Sequence, residues 1–400
     1  MLNDDPVAIV GLDIPRLANH IPDENSFSLC LKAVLGAIDD AGLSRDEVNG
    51  ACLTWESQAG SPMSGSSNWA RLLGSTLNWV AENDLDALGI RGVLNAAAAI
   101  KAGLCETVVI GAALAGGPAV HGAHRMSRIV SASDEEFPPA LLEFSHPFGA
   151  GGIPHRSALN ARRHMYDFGT RPEHLAEVAA TIRNHGHENP EAVMFGRGPY
   201  DIDQIMNSRW IAEPLHLLEC GMAGQAGAAI VITSGDRARR LVRNPVYVLA
   251  GAMEIVDGAH ANPALNRDVA MLGAERMAVA FAQAGIKPAE LDVLSLHDVT
   301  AFEVIRYVEM LGLCEQGEGG PFVEGGALGL RGGRFPTNTD GGMLSHGYGG
   351  PASMILKIIE AVRQLSGRAG ERQVAGARTA VVTNSMPAGQ HLECMILGAG

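Results

Sequence analysis

The sequence is short of positive charge. Its 30 lysines and arginines face 44 aspartates and glutamates, a formal net charge of −14 with histidine neutral. So acidic a chain is poorly suited to hold a phosphate backbone or to sit on an anionic membrane through charge. It also lacks an apolar run of the roughly 18–20 residues that a membrane span needs. The opening MLNDDPVAIVGLDIP has no basic stretch ahead of its apolar residues, so no signal peptide is expected. Cysteine is sparse: six residues, at 30, 52, 105, 220, 314 and 394, with no C-x-x-C. That pattern carries neither a zinc nor a disulfide signature, and reduced thiols in the cytoplasm are expected. Histidines recur in HGAH (121–124) and NHGHENP (184–190), but no carboxylate or thiol spacing completes a site there. No metal is expected.

What is present is an ordinary soluble composition. The 400 residues are 46% hydrophobic and 18% charged, enough for a substantial core and for two to three domains or two large halves. Internal similarity favours halves. AIDDAGLSRDEVNGACLTW (37–55) and AFAQAGIKPAELDVLSLHD (280–298) both read as a helix end at Ala-Gly, a polar turn and an apolar strand. The glycine suits the position just past a helix, where positive φ is needed. A second pair, 84–113 and 347–385, reads as loop, helix, glycine stop and buried strand in both copies. Two βα units recurring in the same order predict a duplicated α/β fold with sheets covered by helices. Between the copies, about 115–220 reads as a long excursion carrying one amphipathic helix at RPEHLAEVAATIRNHG.

Four stretches in order, AIKAGLCETVVIGAA, ALNARRHMYDFGTRPEHLAEVA, SLHDVTAFE and NTDGGMLSHGYGG, together with the duplication, resemble the thiolase superfamily. The sterol-carrier-protein type is the nearest in pattern, and the likeness spans essentially the whole chain. It implies a duplicated thiolase fold, a five-layered αβαβα sandwich. Residues 1–250 would form one half, with the excursion at about 115–220, and residues 251–400 the other. Members are usually dimers or dimers of dimers.

The resemblance also shows what is missing. Where the family places a nucleophilic cysteine ahead of the Ala-rich helix, this chain has DALG, with Asp86 in the cysteine's place. Aspartate caps helices well but is a poor acyl acceptor beside a thiolate; a hydrogen-bonding or proton-relay role competes with plain capping. Where the family has N-x-x-G-G followed by G-H-P, Asn338, Gly341 and Gly342 match, and Gly347-Tyr348-Gly349 puts Tyr348 in the histidine's place. NSMPAG (384–389) replaces the C-terminal C-x-G. HDVTAF (297–302) matches the segment that holds the thioester oxygen, making His297 a candidate hydrogen-bond donor and Asp298 a catalytic candidate beside it. His346, next to the loop, and Tyr166, in RHMYDFG (163–169), are candidates for the substrate wall.

An acyl-cysteine route is therefore not expected. The pattern of no nucleophilic cysteine and tyrosine for histidine resembles the steroid side-chain-cleaving aldolases. These carry out retro-aldol cleavage of a β-hydroxyacyl-CoA without a covalent intermediate. An ordinary phenol titrates near ~10. A helix N-terminus favours the phenolate and burial opposes it; a lowered Tyr348 would serve as base. The resemblance further implies no cofactor beyond the CoA thioester as substrate, a homodimer core, and a small OB-fold protein with a zinc ribbon as partner. Two other readings stay open: a CoA-ester- or lipid-binding protein without activity, and a cysteine-independent acyltransferase.

Overall fold

The two helix–turn–strand units singled out by self-similarity fold alike in the computed structural model, which describes residues 5–55, 66–81, 89–116, 153–255, 271–385 and 391–400. Helix α1 (Ser26–Asp40) ends ahead of Gly42 at φ 69°, passes the single turn Arg45–Glu47 and enters β2 (Gly50–Trp55). Helix α5 (Ala274–Ala284) ends ahead of Gly285 at φ 70°, passes Pro288–Glu290 and enters β9 (Val293–Ser295). The second pair matches too. Helix α2 (Ile90–Lys101) leads through Gly103 to β4 (Thr107–Leu114), and α8 (Ser353–Ser366) leads through Gly367 to β10 (Thr379–Ser385).

The remaining sheet strands are β1 (Val7–Ala18), β3 (Trp79–Ala81), β7 (Gln225–Ser234), β8 (Val246–Ile255) and β11 (His391–Ala399). They join in the order β3-β2-β4-β7-β1-β8-β11-β10-β9. The seam is narrow: β1 meets β8 only at Ala8↔Tyr247 and Ile9↔Val246. Strands β5 (Trp210–Ala212) and β6 (Leu215–His216) form a separate ribbon.

Strand alternation sorts the core. Val7 and Ile9 of β1, Ile230 and Ile232 of β7, Ala380 and Val382 of β10, and Met395 and Leu397 of β11 face one cluster with α2 and α8. Ala8 and Val10 turn the other way, onto α1. Val381, Cys394 and Ile396 turn onto α5, α4 (Pro172–Glu188) and α6 (Ala301–Met310). Helices α2 and α8 thus pack between strand faces of both groups. That explains why α8 buries residues all round and why α2 is rich in alanine, which lets backbones approach.

Among the described residues the excursion holds more helix than its periodicity predicts, including a short one at Ile202–Met206. Besides α4 there is α3 (Ile153–Phe168). Its buried face sets Ala158 and Ala161 among Arg156, Ser157, Asn160 and His164, so only a weak apolar stripe marks it. Ser157 is hydrogen-bonded to Thr300 and Glu303, and His164 to Thr170 and Glu309.

Candidate active site

Parallel strands β9 and β10 end side by side, and β11 begins beside them. In open α/β sheets such carboxyl ends are where ligands bind. Directly after β9 come His297 and Asp298, both buried. The His297 backbone N–H donates to Thr383 Oγ1 at 3.2 Å. Its ring Nδ1 has no hydrogen-bond partner among the described residues. Burial drives its pKa well below the ordinary value, and the charges of Lys357, His391 and Arg306 push the same way. His297 is therefore a neutral imidazole, able to donate a hydrogen bond without carrying charge.

Asp298 ties His297 to the tyrosine loop. Oδ1 accepts from Met343 N–H at 2.9 Å and lies 2.7 Å from Lys357 Nζ; Oδ2 accepts from Leu344 N–H at 3.3 Å. Met343 and Leu344 belong to the one-turn helix α7 (Gly342–Ser345). Gly342 has φ 56°, and a Cβ there would lie 2.0 Å from Asp298 Oδ2, so only glycine lets the carboxylate approach. Gly341 is similarly confined, with φ 106° and a notional Cβ 2.6 Å from Gly186 Cα. Gly347, at φ 138°, faces Val193 and Leu17.

The Asn338 amide is fully engaged in structure. Its Oδ1 accepts from Leu296 N–H at 2.8 Å and its Nδ2 donates to Leu296 C=O at 3.0 Å, while the backbone holds a positive φ of 48°. His346 Nδ1 pairs with Asp340 Oδ2 at 3.0 Å, and its Nε2 has no partner among the described residues. Burial opposes ionisation of Asp340. His346, Lys357 and the Gly342 N–H outweigh it and hold the carboxyl below its usual range.

Tyr348 is half-buried against the central cluster. Its backbone is threaded into the segment before β7: Tyr348 N–H donates to Met222 C=O and Gly224 N–H to Tyr348 C=O, both at 2.8 Å. Helix α8 starts at Ser353, after the turn Gly350–Ala352. Tyr166 stands apart from this cluster. It is 84% exposed on α3, with the Arg163 guanidinium 5.9 Å from its ring centre. Asp86 and residues 386–389 of NSMPAG lie outside the described residues.

Several groups at the site escape a motif search. Lys357 sits in the apolar run MILKIIEAV and Glu393 in the strand HLECMIL. A lone charge inside a buried-looking run is the signal that could have found both. Arg306 is fully buried, bonded to Glu303 Oε2 at 2.7 Å and to Ser385 Oγ at 2.7 Å. Five of the six thiols are of the opposite character to a nucleophile. Burial pushes Cys105 up to about 11 and Cys220, Cys314 and Cys394 up to about 12, and it raises Cys30 as well. Among the described residues, no group of three or more His, Cys, Asp or Glu could hold a metal ion, and no helix is long and apolar enough to cross a membrane.

A family model described as thiolase C-terminal domain-like matches residues 259–399. A steroid side-chain-cleaving aldolase of Thermomonospora curvata is 30% identical over 363 residues, 90% of each chain. A 17-hydroxy-3-oxo-4-pregnene-20-carboxyl-CoA lyase of Mycobacterium tuberculosis is 30% identical over 94% of this chain and 95% of that protein. A solved structure, the Ltp2-ChsH2(DUF35) aldolase, superposes with a TM-score of 0.85 at 28% identity over 98% of both chains. With those motifs in order and that extent of likeness, the chain belongs to the thiolase superfamily, among the aldolase-like proteins related to steroid side-chain-cleaving aldolases that act on CoA thioesters.

Proposed function

We propose that this protein cleaves a β-hydroxyacyl-CoA bearing a steroid or bile-acid side chain by a retro-aldol reaction, giving a ketone or aldehyde and a short acyl-CoA. The observation that carries the reading is the pairing of a buried neutral His297, its Nδ1 open, with thiols that burial keeps protonated. A site built that way favours oxyanion stabilisation over acyl transfer to sulfur.

In the proposed sequence Tyr348 takes the proton of the β-hydroxyl. The oxygen's electron pair forms the new carbonyl as the Cα–Cβ bond breaks. The bonding pair moves to Cα and delocalises into the thioester, giving an enolate. A hydrogen bond from His297 stabilises the enolate oxygen, and a proton delivered to Cα completes the short acyl-CoA. Asp298 is assigned as a positioning residue, because its oxygens are spent on Met343, Leu344 and Lys357 and so fix the His297 segment against the Tyr348 loop. Asn338, Gly341, Gly342, Gly347 and His346 shape the wall on the loop side. Asp86 is assigned to the proton relay and Tyr166 to an outer contact with the ligand. The frame is read as a five-layered αβαβα sandwich of two thiolase halves, 1–250 and 251–400. It would form a cytoplasmic homodimer core that takes a small OB-fold/zinc-ribbon subunit.

The test is turnover of a β-hydroxyacyl-CoA with a steroid nucleus, by the protein copurified with its OB-fold partner. The expected products are a ketone or aldehyde and a short acyl-CoA, with kcat reduced by about 10²-fold or more in Tyr348→Phe. Tight binding without cleavage by the wild type, and no change in Tyr348→Phe, would make the frame a binding protein instead.

A further inference from the structure

Strand register sets Asn384 of β10 directly opposite Glu393 of β11. Both side chains lie on the face turned toward α2 and α8, as the alternation with Val382 and Met395 requires. Glu393 is completely buried. Arg91, in the first turn of α2, reaches down onto β11. Its Nε lies 2.9 Å and its Nη2 2.7 Å from Glu393 Oε1. The second carboxylate oxygen accepts from Asn384 Nδ2 at 3.2 Å. Burial raises the Glu393 carboxyl while Arg91 and Asn384 oppose the rise. Both oxygens of one buried carboxylate are thus engaged, one by a cation and one by an amide.

The amide passes that constraint on. An ionised carboxylate only accepts, so Asn384 must turn its NH2, and not its oxygen, toward Glu393. The same Nδ2 lies 3.5 Å from His391 Nε2, at the long end of hydrogen-bonding range. An NH2 group faces a ring nitrogen favourably only when that nitrogen carries its lone pair. The His391 proton is then on Nδ1. His391 is the first residue of β11, where the strand ends gather the candidate site.

From this geometry, and resting on the proposed cleavage, we propose that Glu393 is a positioning residue that fixes the tautomer of His391, the residue that opens β11 at the site, acting through Asn384 and anchored by Arg91. A bare ion pair between α2 and β11 is an expensive fastener, since well-packed apolar residues of the same volume hold such a seam as well. Orientation of a histidine is what an apolar pair could not supply.

The full-length protein labelled with 15N-histidine tests this by NMR, with the His391 signals assigned by their loss in His391→Asn. The wild type is expected to show a protonated Nδ1 and a pyridine-type Nε2. Glu393→Gln, whose amide can face Asn384 either way, is expected to mix the tautomers and to lower kcat roughly tenfold with little change in KM. Asn384→Ala keeps the Arg91–Glu393 pair, guards against a folding defect in the first variant, and is expected to release the tautomer in the same way. An Nε2-protonated His391 in the wild type, or an unchanged tautomer in both variants, would overturn the proposal. Absence of cleavage by the wild type would sink the lyase reading and leave the tautomer result standing. Cleavage with an unmoved tautomer would sink this inference alone.

Discussion

Two stretches of the same repeated frame keep charge in different places. Among the described residues of 5–116, the buried polar side chains are Ser26, Thr54 and Thr107, all neutral. Among the described residues between 293 and 393, eleven acidic, basic or histidine side chains are buried, from His297 to Glu393. The helix–turn–strand units are alike in both stretches, so the frame needs no buried charge in order to fold. Burying a charge costs several kcal/mol unless partners repay it. Its concentration on β11, on the helices α6 and α8 and on the loops after β9 and around α7 is therefore not a demand of the repeated units themselves.

The sharpest way to break that comparison is to unpair the charged stretch. Asp298→Ala would leave the Lys357 ammonium and the N–H groups of Met343 and Leu344 without their acceptor. The expected loss is ~3–5 kcal/mol in urea unfolding. The companion in the quiet stretch is Thr107→Val, which removes a hydroxyl 3.3 Å from that of Thr233 and should cost about 1 kcal/mol. Equal losses would mean that the charged stretch is no more interlocked than the neutral one.

Glycines allow a finer comparison. Gly342 and Gly42 both have positive φ, 56° and 69°. A Cβ on Gly342 meets Asp298 Oδ2, whereas nothing lies within 4 Å of one on Gly42. Gly342→Ala should therefore lose roughly 3 kcal/mol, the sum of backbone strain and displacement of a buried carboxylate. Gly42→Ala should lose only ~1 kcal/mol, for backbone strain alone. If thermal unfolding found the two alike, the close approach at Asp298 would be wrong.

How much of this was legible beforehand follows from the range of each interaction. The repeated units are local patterns of helix end, glycine and strand, and they can be read in sequence order. So can N-x-x-G-G and the loop bearing Tyr348, because glycine at a fixed spacing records a backbone demand. The partners of Asp298 cannot be read, since Met343, Leu344 and Lys357 reach it only through the fold. Arg91 and Glu393 are 302 residues apart and join α2 to β11, whose meeting no local pattern specifies. Helix α3 is hidden for a different reason. Its buried face mixes the small apolar Ala158 and Ala161 with hydrogen-bonded Ser157 and His164, so hydrophobic periodicity marks it only weakly. Tyr166 shows the converse limit: RHMYDFG names the residue but not the face of the helix on which it falls.

Glu219 is the counter-example that sharpens the comparison, a buried carboxyl outside the charged stretch and without a cation. Its Oε2 accepts from the His216 backbone at 2.6 Å and lies 3.2 Å from His216 Nδ1, and its Oε1 has no partner among the described residues. Burial lowers the His216 pKa, so that neighbour stays neutral near pH 7. Burial also pushes Glu219 up to about 7, only partly offset by the His216 N–H. A carboxyl that binds its proton more tightly when folded contributes stability that is fully present below the unfolded pKa, near ~4.3. The contribution is lost as pH rises through about 7, when the folded protein must either carry the buried charge or open. Wild-type stability should therefore fall between pH 5 and pH 8 by on the order of 2 kcal/mol from this group. Glu219→Gln should flatten that slope, being no more stable than wild type at pH 5 and more stable at pH 8. Asp340 supplies the opposite sign. Its carboxyl is held down by His346 and Lys357 against its burial, so its contribution is present above the ordinary carboxylate pKa and is lost only as pH falls through its own lower one. Denaturant unfolding across pH thus separates the two kinds of buried carboxylate: one held by cations that fails in acid and one with only neutral partners that fails toward alkali. A Glu219→Gln curve parallel to wild type would show that this side chain reaches water.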